Sequence, residues 1–188
     1  MSESDLPVPQ PDLPVPQPDA SVNKGPVPMG GNAEDVATAY HEAGHAVVAI
    51  ALGRSVEKLT IVRNTLRLGV VNFGSRRTGR RQDYFESEAM ILLAGIVSEA
   101  RITGKMNWSG ARHDLLQLER LISGRVATEK AADRLQRRLF DKAEHLLSQS
   151  EIWAAVEKIA QGLLLHRSLS GRAARHMFEE AKDHASKN

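Results

Sequence analysis

From Asn32 onward the chain keeps a helical apolar period, replaced over one short stretch by a β-rich pattern. Asn32 is a natural N-cap, and Glu34 and Asp35 favour a first helical turn. Val36, Tyr40, Val47 and Ala51 continue the stripe until Gly53 stops it. Two runs rich in β-branched residues follow, 56–63 (VEKLTIVR) and 67–73 (RLGVVNF), joined by Asn64-Thr65-Leu66, and they predict a hairpin. The helical period returns near residue 83 with Phe85, Ala89, Leu92, Ile96 and Ala100. The segment 104–109 (GKMNWS) interrupts it, and Ser109 is placed to cap a helix carrying Leu115, Leu118, Leu121 and Ile122. Thr128 opens another helix, striped by Ala132, Leu135, Leu139, Ala143 and Leu146. Ile152, Val156, Ile159 and Leu163 mark a further helix, and a last one follows Ser170-Gly171. The expected fold class is mainly α with one small β-hairpin or sheet.

Composition divides the chain in two. All 8 prolines lie in the first 28 residues, where LPVPQPD occurs at 6–12 and again at 13–19. Such a repeat cannot bury a core, so residues 1–31 are expected to be an extended, solvated tail and 32–188 the folded domain. The net charge of +2 gives no strong pull toward nucleic acid. A basic loop with Arg76, Arg77, Arg80 and Arg81 lacks the interleaved aromatics that would suggest nucleic-acid contact and reads as solvated. With 0 cysteines, disulfides and thiolate metal sites are excluded. No signal-peptide pattern opens the chain, and its longest apolar run, Ala46–Leu52, is far short of a membrane span. A soluble, cytoplasmic protein is expected.

Residues 41–45 read His-Glu-Ala-Gly-His within the first predicted helix. Residues four apart on a helix share a face, about 6 Å apart at Cβ, so His41 and His45 can offer two imidazole nitrogens to one metal ion. Glu42 stands about 100° further round, within reach of a water held at that ion. Two neutral nitrogen ligands and a neighbouring base are the equipment of a zinc-dependent hydrolase. A catalytic zinc takes three protein ligands. A third histidine six residues after the second is excluded, because position 51 is Ala. Two carboxylates interrupt later apolar faces: Glu99, at helical spacing from Leu92, Gly95 and Ile96, and Asp114, on a face with Leu118 and Leu121. A carboxylate on a core-facing stripe is costly unless paired or bound to metal, but spacing alone does not choose between the two.

The blocks AYHEAGHAVVAIALG, LGVV, LLAGIVSEA and SGARHDLLQLERL, in that order, resemble the peptidase domain of the FtsH family of zinc proteases, the M41 peptidases. The resemblance runs over about residues 33–180 and implies that family's mostly helical peptidase fold and a zinc ion as cofactor. It also implies Asp114 as third ligand, in Ser109-Gly110-Ala111-Arg112-His113-Asp114-Leu115, and Glu99 as the carboxylate that orients a ligand histidine. His113, His145, His166, His176 and His184 match no ligand position. Ile96, Val97 and Ser98 depart from the family's Arg-Ala-Ala, so this wall of the site or a subunit interface is expected to differ. No G-x-x-x-x-G-K-S/T phosphate loop occurs, so the expected protein is a free-standing peptidase domain without the family's ATPase. It would cleave unfolded or flexible polypeptides, with a separate unfoldase or a homo-oligomer as expected partners. The strand residues Leu68, Gly69, Val70 and Val71 are expected to pair with an extended substrate. Two other readings fit the sequence: an interaction module on a peptidase fold, or a regulatory protease that cuts one dedicated partner.

Overall fold

The computed structural model describes residues 32–63, 69–74 and 81–185. The proline-rich tail, the loop residues Asn64–Leu66, the expected substrate contact Leu68, and Arg76, Arg77 and Arg80 lie outside them, as does the Arg81 side chain. The elements run α1 (Ala33–Ala51), β1 (Val56–Thr60), β2 (Val70–Phe73), α2 (Arg81–Thr103), α3 (Arg112–Ser123), α4 (Glu129–Leu147), α5 (Ser150–His166), β3 (Ser168–Ser170) and α6 (Gly171–Ala185). The chain is therefore mainly α with one small antiparallel sheet, as the patterning predicts.

Helix α1 is the axis of the domain. Asn32 caps it through a 2.7 Å bond from the Asp35 N–H, and Gly53, at φ 76°, turns the chain away. From His41 to Ile50 every residue is buried, which the run of Ala, Gly and Val makes sterically feasible. Its most extensive partner is α2. A Cβ added at Gly44 would lie 2.5 Å from the Ala94 carbonyl oxygen, so the two backbones meet where only glycine fits. Ile96, Val97 and Ser98 are buried within the chain at this crossing, at 1%, 2% and 0% exposure. They line neither the groove described below nor an outer face, contrary to the expectation that they form a wall of the site or an interface. On the far side of α1, Tyr40 stacks on Trp153 of α5 at 6.0 Å, and the Arg101 guanidinium covers that indole at 4.0 Å.

The predicted hairpin is present, with shorter strands: Leu59 faces Val71 and Thr60 faces Val70. A third strand, β3, pairs on the other side of β1, with Leu59 opposite Leu169, giving the order β2-β1-β3. Among the described residues strand β2 is thus an edge. Arg167, at φ 63°, ends α5 in the left-handed conformation just before β3, and its guanidinium meets Asp35 at 2.9 and 3.3 Å. One expectation fails at α3. Its N-cap is Ala111, which has no side chain to cap with, and Ser109 instead donates its hydroxyl to Asn107 Oδ1.

Candidate metal centre

The α1 period sets His41 and His45 on the buried face with ring centroids 4.7 Å apart and near-perpendicular planes. Each ring has one nitrogen engaged from behind. His41 Nδ1 lies 3.0 Å from Glu99 Oε2, and His45 Nδ1 lies 2.7 Å from the Ile91 carbonyl oxygen. A carboxylate and a carbonyl can only accept, so both Nδ1 atoms carry hydrogen and both Nε2 atoms face the same point. There they meet Asp114 Oδ2, at 3.2 Å from His41 and 3.3 Å from His45. The ligating atoms of the three residues lie within 4.8 Å of one another.

This arrangement needs a positive charge at its centre. Two imidazole lone pairs and a carboxylate lone pair at such distances would repel unless a proton or a cation lay between them. Burial works against charge on His41, but its hydrogen bonds to Asp114 and Glu99 and the charge of Glu42 prevail, and the imidazole is pushed up to about 10. Burial would likewise raise Asp114, yet the charge of His45 and the bonds from both histidines hold its carboxyl well below the usual carboxylate range. A divalent ion serves the same centre as the proton. Two imidazoles and one carboxylate, each histidine held from behind, form a donor set that suits zinc.

The centre lies on a groove of about 780 Å³. Glu42, 6% exposed, lines it beside the histidines. Gly69, Val70 and Val71 also line it, and a Cβ at Gly69 would lie 2.5 Å from Glu42 Oε1. Exposed His113 also lines the groove, whereas His145, His166, His176 and His184 are exposed elsewhere. No helix among the described residues is long and apolar enough to cross a membrane.

The profile of peptidase family M41 matches residues 31–161. The chain belongs to peptidase family M41. Curated relatives agree with that assignment. The ATP-dependent zinc metalloprotease FtsH of Chlamydia trachomatis is 29% identical over 115 residues, 58% of this chain and 12% of that protein. The FtsH of Pelobacter propionicus is 32% identical over 111 residues, 57% of this chain and 18% of that protein. The FtsH of Metamycoplasma arthritidis is 36% identical over 105 residues, 51% of this chain and 13% of that protein. The matched stretch of this M41 chain thus spans less than a fifth of each of these relatives.

Three participants in this candidate centre were not singled out by sequence. Ile91 acts through its backbone carbonyl, so its side chain carries no signal. Gly95 faces both Nε2 atoms: a Cβ there would lie 2.4 Å from that of His45 and 2.7 Å from that of His41. The only available hint was a glycine inside an otherwise apolar helical stripe. Asn107 donates to Glu99 Oε1 at 2.9 Å from a segment legible only as a helix break.

Proposed function

We propose that this protein is a zinc-dependent endopeptidase that hydrolyses peptide bonds in unfolded or flexible polypeptides. The observation that carries the proposal is the convergence of His41 Nε2, His45 Nε2 and Asp114 Oδ2, with Glu42 beside them on the groove. These three residues would hold the ion. When bound, zinc supplies a Lewis acid that polarises a carbonyl and acidifies water toward a pKa of about 7.

The chain's own residues do the rest. Glu99 and the Ile91 carbonyl fix the tautomers of His41 and His45, so that neither ring has to reorient. Glu42 takes the proton from water attacking the scissile carbonyl and returns it to the leaving amine. The burial of Glu42 and both histidines keeps bulk water from competing for those hydrogen bonds. The outer edge of β2, with Gly69, Val70 and Val71 on the groove, would pair with an extended substrate backbone. Pairing of that kind favours flexible chains over folded ones and reads little sequence. Folded substrates would need an ATP-driven unfoldase or assembled copies of the chain, a need in keeping with the relatives' names as ATP-dependent proteases.

The test is cleavage of an unfolded, fluorescently labelled protein by zinc-loaded wild type and by Glu42→Gln at matched zinc content. Turnover by the wild type and at least about a hundredfold less by the variant is expected from loss of the base. Equal rates in the two, or none in either with zinc bound, would refute the reading.

A further inference from the structure

The ligands of the proposed centre come from two places: His41 and His45 from the rigid α1, and Asp114 from the first turn of α3. The start of α3 must be set as well, and the ordinary side-chain cap is absent. The N-cap of α3 is Ala111, which makes no side-chain cap bond.

Asn107 stands where that device is missing, and its side-chain amide and its backbone carbonyl are all engaged. Its Oδ1 accepts from the Gly110 N–H and from the Ser109 hydroxyl, each at 3.0 Å, which closes the turn leading into α3. Its carbonyl oxygen accepts from the Ala111 N–H at 3.1 Å, and the Ala111 carbonyl in turn accepts the Leu115 N–H at 3.0 Å, beginning the helix. Its Nδ2 donates to Glu99 Oε1 at 2.9 Å, while Glu99 Oε2 meets His41 Nδ1 at 3.0 Å. Glu99 is 5% exposed, so without Asn107 a buried carboxylate oxygen would lose a donor. Gly110 leaves room for the amide, because a Cβ there would lie 2.5 Å from Asn107 Nδ2 and 2.9 Å from its Cγ.

We propose that Asn107 is the positioning residue that joins the two ligand arms. Its amide nitrogen steadies Glu99, and through it His41, while its amide oxygen shapes the turn that delivers Asp114. One side chain thereby sets the angle between ligands 73 residues apart. This inference rests on the metal reading given above.

Three substitutions separate the link from the turn. Asn107→Ser keeps a short acceptor for the Gly110 N–H but cannot reach Glu99. Gly110→Ala deletes no polar group and pushes the amide off Glu99 by contact alone. Ser109→Ala removes one bond of the turn and leaves the link intact. Zinc affinity is measured by competition with a chromophoric chelator, the cobalt(II) d–d spectrum reports ligand geometry, and melting of the metal-free protein reports the fold. Asn107→Ser and Gly110→Ala are each expected to weaken zinc about 10–100-fold and to alter the cobalt spectrum, with metal-free melting lowered only by the few degrees that one unpaired buried acceptor costs. Ser109→Ala is expected to stay within threefold of wild type. Because the first two break the same link, the double variant should be no weaker than the poorer single one. Wild-type affinity and spectrum in a folded Gly110→Ala protein, or multiplied losses in the double variant, would overturn the proposal while leaving the metal reading standing. Failure of the wild type to bind zinc would overturn both.

Discussion

Adding one methyl group at Gly95 should close the metal position without unfolding the protein. The new Cβ would lie 2.4 Å from His45 Nε2, 2.6 Å from its Cε1 and 2.7 Å from His41 Nε2. Ordinary contact begins near 3.5 Å, so both rings face a shortfall of about 1 Å. They cannot turn aside cheaply, because Glu99 and the Ile91 carbonyl hold their far nitrogens at 3.0 and 2.7 Å. Nor can α2 back away, since its Ala94 carbonyl is packed on α1 at Gly44. Zinc sites tolerate displacements of only about 0.2 Å, so affinity should fall at least about a hundredfold, about 2.7 kcal/mol. Stability moves less. Overpacking costs about 1–3 kcal/mol, and replacing glycine by alanine within a helix returns about 1 kcal/mol. Chelator competition for zinc, with circular dichroism to establish folding, decides the matter. A folded Gly95→Ala protein that binds zinc within threefold of wild type would refute the assignment of Nε2 as the ligating atom in both rings.

Proton competition gives a second expectation. His41 rises from 6.5 to about 10 in the folded protein, so its stabilising contribution to the metal-free form is complete below about pH 6.5 and is lost as pH climbs through 10. Metal-free melting temperature should therefore decline over that window, and zinc affinity should rise about tenfold per pH unit as one proton is displaced; titrations at four pH values with a flat affinity would exclude this linkage. At Arg167, alanine keeps the left-handed φ and loses the pair with Asp35, whereas glycine loses the pair and relieves the backbone. Urea unfolding should find Arg167→Gly more stable than Arg167→Ala by about 1 kcal/mol, and the reverse order would remove the claim of backbone strain. Finally, Val70→Pro on the edge strand should weaken binding of an extended peptide while zinc content stays at the wild-type level, and unchanged peptide affinity would dismiss pairing at β2.

The sequence disclosed those parts of the fold whose physics is local. Helix α1 was legible from Asn32, its acidic first turn and Gly53, because capping and a left-handed stop leave residue-level marks. The stripe Ile152, Val156, Ile159 and Leu163 likewise marked α5, where all four are buried. Strand β3 stayed hidden. Three residues, Ser168-Leu169-Ser170, are too short to display a period, and their partner Leu59 is 110 positions away in the chain. Ser109 drew the cap assignment by residue type, whereas the turn is organised from Asn107, and no local pattern tells a side chain that caps from one that reaches a carboxylate on another helix. Ile96, Val97 and Ser98 were placed on a wall by comparison of blocks, but burial against α1 is a property of the crossing between helices. At the site, the pair of histidines was legible because the helix pitch alone sets their separation. The acceptors behind them were legible only where a side chain supplied one: Glu99 but not the Ile91 carbonyl.

That division follows from how the centre is built. Its α1 half shares its steric requirements with the core. The small residues that let α2 approach α1 also bring the Ile91 carbonyl and Glu99 behind the two rings, so packing and ligand orientation are one geometric event. The Asp114 half has no such support. Helix α3 touches α2 and α4 but makes far fewer contacts than α1 does with α2. Asp114 is itself the least buried of the three proposed ligands, with its side chain 19% exposed. A ligand on a lightly packed first turn gains precision from polar links, and beside its own contacts with the two histidines a second link runs from the turn through Asn107 to Glu99. Small changes in the 107–111 turn should therefore lower affinity for the ion at less cost to the fold than changes in the close packing of α2 on α1 at Gly44.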